Sequence, residues 1–176
     1  MSGNAPPPPD QPQSFPPPPA PPGVPRPGEL LERFLARLID GVILGVTFGI
    51  VAGVISAVFN GYLYWFLTAV ISSVGYLAYF TILESSRGAT IGKQVLKLRV
   101  FGPDGTSLPT QEQALRRNIW TAFGIAGVVP IVGSLIGGLA SLVAVIMIAV
   151  NISSDPVNRQ GWHDRFAGGT RVVKIG

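Results

Sequence analysis

Two long uncharged runs set the frame of this chain. The first covers residues 41–83, and the second covers residues 118–154. About twenty apolar residues in a helix cross the ~30 Å hydrocarbon core of a bilayer. The first run, 43 residues long, therefore holds two spans, and Asn60-Gly61 near its middle supplies the turn between them. The predicted helices are 30–59 and 62–83. Tyr62, Tyr64, Trp65 and Phe66 stand just past the turn, where an interfacial aromatic belt is expected. As a single helix the second run would be about 55 Å long, too long for one span. Pro130, flanked by Gly127 and Gly133, divides it into segments 111–128 and 132–151. The later segment is a full span. The earlier one opens with a Thr110/Gln113 capping box and a Glu112/Arg116 pair at i,i+4, then turns apolar, so it reads as interfacial, re-entrant or a short tilted span.

Between the runs the pattern changes. Val95, Lys97 and Arg99 alternate with Leu96, Leu98 and Val100, the period of a strand, and Pro103-Asp104-Gly105 makes a turn. Near the C-terminus, residues 170–175 are rich in β-branched side chains and suited to pair with that strand. The predicted architecture is an all-α membrane protein of three to four membrane-embedded helices, with a short cytoplasmic β pairing between the central loop and the tail. Three crossings would leave the tail on the far side from the loop. Hairpin entry by 111–128 returns it to the same side and lets the strands meet.

Composition agrees with a membrane protein. The chain is 47% hydrophobic and 12% charged, with mean hydropathy +0.43, against about a quarter charged in an ordinary soluble domain. All thirteen Lys and Arg lie before the first span, between Glu84 and Arg117, or in the tail. The positive-inside rule then puts the N-terminus and central loop in the cytoplasm, as for a bacterial cell-membrane protein. The net charge of +4 flanks apolar runs and forms no aromatic-laced patch, so no nucleic acid is expected as a partner. Thirteen of the seventeen prolines fall in residues 1–28. That stretch reads as a disordered, polyproline-biased tail ahead of a membrane domain over 29–176. It is either a solvated spacer or a ligand for a proline-recognition partner. A cleavable signal peptide is not expected, because no apolar core follows the N-terminus.

Gly41, Gly45, Gly49 and Gly53 recur every fourth residue in the first span, and Gly133 and Gly137 do so in the last. Small residues in such rows let membrane helices approach closely. The partner of the first row is another helix of this chain, a second copy in a homo-oligomer, or another membrane protein. At the mouth of the first span stand Arg33, Arg37 and Asp40. Asp40 either binds a cation or proton, with an arginine tuning its pKa, or closes a structural salt bridge.

Further along, Gly88-Ala89-Thr90-Ile91-Gly92-Lys93 lacks the spacing of a phosphate loop. Lys93, Lys97 and Arg99 are instead expected against the lipid surface. In the tail, His163 and Asp164 are neighbours, followed by Arg165, but adjacent residues do not orient one another as a triad does. With no cysteine and a single histidine, neither a thiolate nucleophile nor a metal site is expected, and no cofactor is implied. Arg33 and Asp164 are expected to meet.

These residues together resemble the RDD family of small membrane proteins. Arg33, Ala36 and Asp40 match an Arg-x-x-Ala-x-x-x-Asp entering the first span. Gly88, Thr90, Gly92 and Lys93 match a second motif, continued by Leu98, Arg99, Val100, Asp104 and Gly105. His163, Asp164, Arg165, Ala167, Gly168 and Thr170 match a third. Gly169 stands as an extra glycine in that motif. The resemblance implies a multi-pass protein that is not an enzyme and that transports a ligand, cation/proton exchange being one form. The alternative is a non-catalytic membrane adaptor built on the glycine row and the proline tail.

Overall fold

A computed structural model describes residues 25–176. Most of the proline-rich stretch, and with it the expectation of a disordered tail, lies outside the described residues. The end of that stretch is ordered: Arg26–Pro27 forms strand β1. Helix α1 spans Leu30–Val58, its start closed by the Glu32 carboxylate, which accepts from the Glu29 N–H, and helix α2 spans Gly61–Arg87. Between them Gly61 adopts the left-handed conformation that a tight reversal requires, at φ 57°. Helix α2 runs one turn beyond the predicted 62–83, because Glu84 finds buried partners inside the protein and the backbone need not end at the first charge. Gly88, at φ 70°, caps it.

The central loop contains a short helix, α3 (Ile91–Val95), capped by the Thr90 hydroxyl. Strand β2 therefore begins at Leu98, later than the alternation suggests, and covers Leu98–Phe101. Helix α4 covers Gln111–Asn118 and opens with the Thr110/Gln113 capping box. It is followed by a ten-residue 3-10 helix, Ile119–Val128, where a continuous α-helix to 128 was expected. At about 2 Å per residue this stretch covers ~20 Å, descending alongside α2. The Asn118 amide donates to Glu84 near one end of α2, and Gly127 lies beside Ala69 further down. The chain reverses at Pro130 and Ile131 into α5 (Val132–Ser154), which runs back along the 3-10 helix. Gly133 and Gly137 make that contact close. A Cβ on Gly133 would stand 1.8 Å from the Ala126 carbonyl oxygen, and one on Gly137 would stand 2.5 Å from that of Phe123.

This hairpin returns the tail to the end where the chain entered. Helix α6 (Trp162–Phe166) packs on α4 and α5, and β3 (Arg171–Lys174) completes an antiparallel sheet of order β1-β3-β2. Val172 faces Val100, and Arg26 faces Lys174. Leu98, Val100 and Val172 bury their side chains against Ala36 of α1, so the sheet closes over the first turns of that helix. Helices α1, α2 and α5 are each long and apolar enough to cross a membrane. The described chain is thus an integral membrane protein with its charge gathered at one end.

Candidate functional site

The site is built where α3 meets α1. Ala36 has no exposed surface, and Gly92 lies so close to it that a Cβ there would stand 2.0 Å from the Ala36 carbonyl oxygen. That approach sets the N-terminus of α3 over Asp40, one turn further along α1. The Asp40 carboxylate is well supplied with donors: it accepts from the Tyr79 hydroxyl at 2.7 Å, the Gly92 N–H at 2.8 Å and the Thr90 hydroxyl at 2.6 Å. Thr90 and Gly92 of the second motif therefore hold the aspartate of the first.

Two further buried carboxylates sit beside it. Glu84 is fully buried and accepts from Lys93 Nζ and from Asn118 Nδ2 at 2.9 Å, with Arg117 Nε at 3.5 Å. The second is Asp164, also without exposed surface. Arg33 Nη1 reaches it at 3.0 Å, Arg117 Nη2 at 3.1 Å and the Gly161 N–H at 3.0 Å. Gly168 and Gly169, both at positive φ, turn the chain so that the Gly169 and Thr170 N–H groups donate to the Asp164 carbonyl. The extra glycine thus belongs to the turn. Burial alone would raise the Asp164 carboxyl, but the arginines and the Gly161 N–H hold it well below the usual carboxylate range. Burial pulls the Lys93 ammonium down to about 8, aided by Arg117 and Arg37 and opposed by Glu84. The imidazole of His163 is pushed down to about 3 by burial, with Arg117, Arg37 and Arg33 adding to it against Asp164. It is neutral at pH 7.

Arg37 is placed differently from the other arginines. Its guanidinium lies 3.7 Å above the centre of the Phe80 ring and 5.0 Å from that of Trp120, and donates to Asn118 Oδ1 at 3.1 Å. Arg33, Arg37, Asp40, Lys93, Arg117, Trp120 and His163 line one cavity of about 120 Å³. A second cavity of about 230 Å³ shares Arg37 and Trp120 with it and adds Gly41, Tyr76, Thr121 and Ser141. A third, of about 340 Å³, shares Tyr76, Thr121 and Ser141 with the second. It continues past Ser72, Ser73 and Ser134 to Thr68 and Trp65, near the start of α2.

Of the predicted site residues, Arg33, Arg37, Asp40, Lys93, His163 and Asp164 come together. Lys93 is the correction among them: it is buried on Glu84 and does not lie against lipid, because α3 turns it inward. Arg165 stays outside the cluster, with its side chain exposed and 3.6 Å from Asp155. Gly45, Gly49 and Gly53 stand apart as well, while Gly41 borders the second cavity; at all four, a Cβ would meet nothing within 4 Å from the rest of the described chain. Sequence reading passed over Glu84, Arg117, Asn118, Tyr79 and Trp120. Glu84 did carry a signal, since it ends the first uncharged run as Asp40 precedes it.

Three helices long and apolar enough to span a membrane, a 3-10 helix descending between two of them and a charge cluster sealed by the tail define a multi-pass integral membrane protein. The family model described as RDD family matches residues 27–168, and the chain belongs to that family. No curated protein and no solved structure matches it.

Proposed function

We propose that this protein is a carrier, and not an enzyme, that moves a ligand across the membrane between α1, α2, the 3-10 helix and α5. One observation supports this reading above the others. The three cavities share lining residues and run from the arginines at the charged end to Thr68 and Trp65 at the other, with hydroxyls along the way. Hydroxyls and ionisable groups inside an apolar bundle commonly mark a ligand pathway. Of the forms of transport, cation/proton exchange at Asp40 draws the weaker support, since that carboxylate already accepts three hydrogen bonds. The test is flux into proteoliposomes, followed with a pH-sensitive dye under Na⁺, K⁺ and Li⁺ gradients and with tracer uptake of small organic ions. Ser141→Phe should plug the path and abolish flux. Cation-driven proton movement lost in Asp40→Asn would restore the exchange reading; no flux of any kind from inserted, folded protein would remove transport.

The outward glycine row supports a second reading, that of an adaptor. Gly41, Gly45, Gly49 and Gly53 offer a close-packing face to a second copy or to another membrane protein, and residues 1–28 would offer prolines to a recognition domain. In both readings the charged end, which gathers the Lys and Arg of all three clusters, faces the cytoplasm of a bacterial cell.

A further inference from the structure

The residues that line the cavity at the charged end include several with buried donors that lack acceptors. Arg33 Nη2, Arg37 Nη1, Arg117 Nη1 and Trp120 Nε1 are each inaccessible to solvent and lack a hydrogen-bond partner among the described residues, and all four residues line this one cavity. The Arg33 and Arg117 side chains are themselves more than nine-tenths buried. A buried N–H without a partner costs about 1–3 kcal/mol, and more when charged. The three carboxylates of the cluster, Asp40, Glu84 and Asp164, are already engaged with other donors, and the remaining unpartnered group on the cavity is Nδ1 of the neutral His163. Four cations, Arg33, Arg37, Lys93 and Arg117, face these three carboxylates, so one positive charge is in excess.

The rest of the lining is mostly apolar. Leu30 and Phe34 of α1 and Val145, Ile148, Ala149 and Ile152 of α5 form its apolar part, and α1 and α5 meet only sparsely. We infer that this cavity binds the head of an amphiphilic anion bearing one negative charge. Its oxygens would accept from the three guanidinium groups and the Trp120 indole, while its apolar body lies in the gap between α1 and α5. The inference rests on the transport reading only in treating this anion as the ligand moved; the site itself requires no flux. A membrane lipid with a phosphodiester and a water-soluble carboxylate share this chemistry.

The test is equilibrium binding to the purified full chain in neutral detergent. Phosphatidylglycerol is compared with phosphatidylcholine by native mass spectrometry, and octanoate with octanol by thermal shift. The anionic member of at least one pair should bind about tenfold tighter than its counterpart, as expected for one charged hydrogen bond gained. Arg37→Gln should erase that preference. Ala149→Phe should also erase it by filling the cavity from the apolar side while keeping every charge, which leaves a test if the arginine variant does not fold. Preference for the lipid alone, or for octanoate alone, supports the site and names its source. Equal binding within both pairs, or a preference that survives both variants, overturns it. Binding without flux would remove the transport reading and leave this site standing; flux without anion preference would do the reverse.

Discussion

Two adjacent rows of residues on α1 meet opposite surroundings. Ala36, Asp40 and Leu44 form one row, and all three are buried. Arg37, Gly41, Gly45, Gly49 and Gly53 form the next, a rotation of ~100° away, and from Gly45 onward a Cβ there would meet nothing among the described residues. The second row is the one with small residues at every fourth position, whereas the first has only Ala36, so small size does not decide which one closes. The difference lies in the polar group each row carries. Asp40 has donors waiting on α2 and α3, and satisfying them draws Gly92 against Ala36. Beyond Gly41 the second row carries no polar side chain and so recruits no partner from within the chain. Glycines permit an approach; a buried hydrogen bond specifies it.

The comparison is tested most severely where the buried charge itself is removed. Glu84→Gln leaves Lys93 and Arg117 buried against a neutral amide, and should lower stability by about 3–5 kcal/mol, read as loss of the folded fraction in a detergent denaturation series. Next comes Gly92→Val, whose side chain has backbone as its nearest neighbour and cannot be relieved by a rotamer change; a loss of about 3 kcal/mol is expected. If that variant were as stable as the native chain, the closed row would not be closed.

His163 gives the third effect. Its pKa is low in the folded protein and near 6.5 when unfolded, so the unfolded chain binds more protons between about pH 6.5 and pH 3. Stability is fully present above 6.5 and falls as the pH drops through that window, by about 1 kcal/mol per unit. Thermal midpoints of His163→Gln should lose this slope. Smallest is Gly45→Ala on the open row, which should leave the isolated chain unchanged or stabilise it by up to about 1 kcal/mol. A strong destabilisation there would mean that the row is covered in the functional protein, and cross-linking would show by what.

The spans, the pairing of the central loop with the tail and the meeting of Arg33 with Asp164 were legible in the sequence, whereas β1 was not, since it falls at the end of the proline-rich stretch. The Leu98 and Val100 alternation points to its pairing with 171–174, and the need to bring that strand back predicts the hairpin. Glu84 and Lys93 were less legible. Nothing near Glu84 shows that Arg117 and Asn118 will reach it from more than thirty residues away or that α3 will turn Lys93 inward. Tertiary approach, and no local pattern, makes those pairs. The 3-10 form of residues 119–128 has no signal in an apolar run that would suit an α-helix equally well.

The central claim is a water-accessible path between the helices of an otherwise apolar bundle. The chain has no cysteine, so single cysteines report without background. Ser73→Cys and Ser141→Cys, on the path, should react with a membrane-impermeant methanethiosulfonate in proteoliposomes, and Val46→Cys and Ile50→Cys, on the exposed apolar surface of α1, should not. Path positions as silent as these two controls would contradict the account.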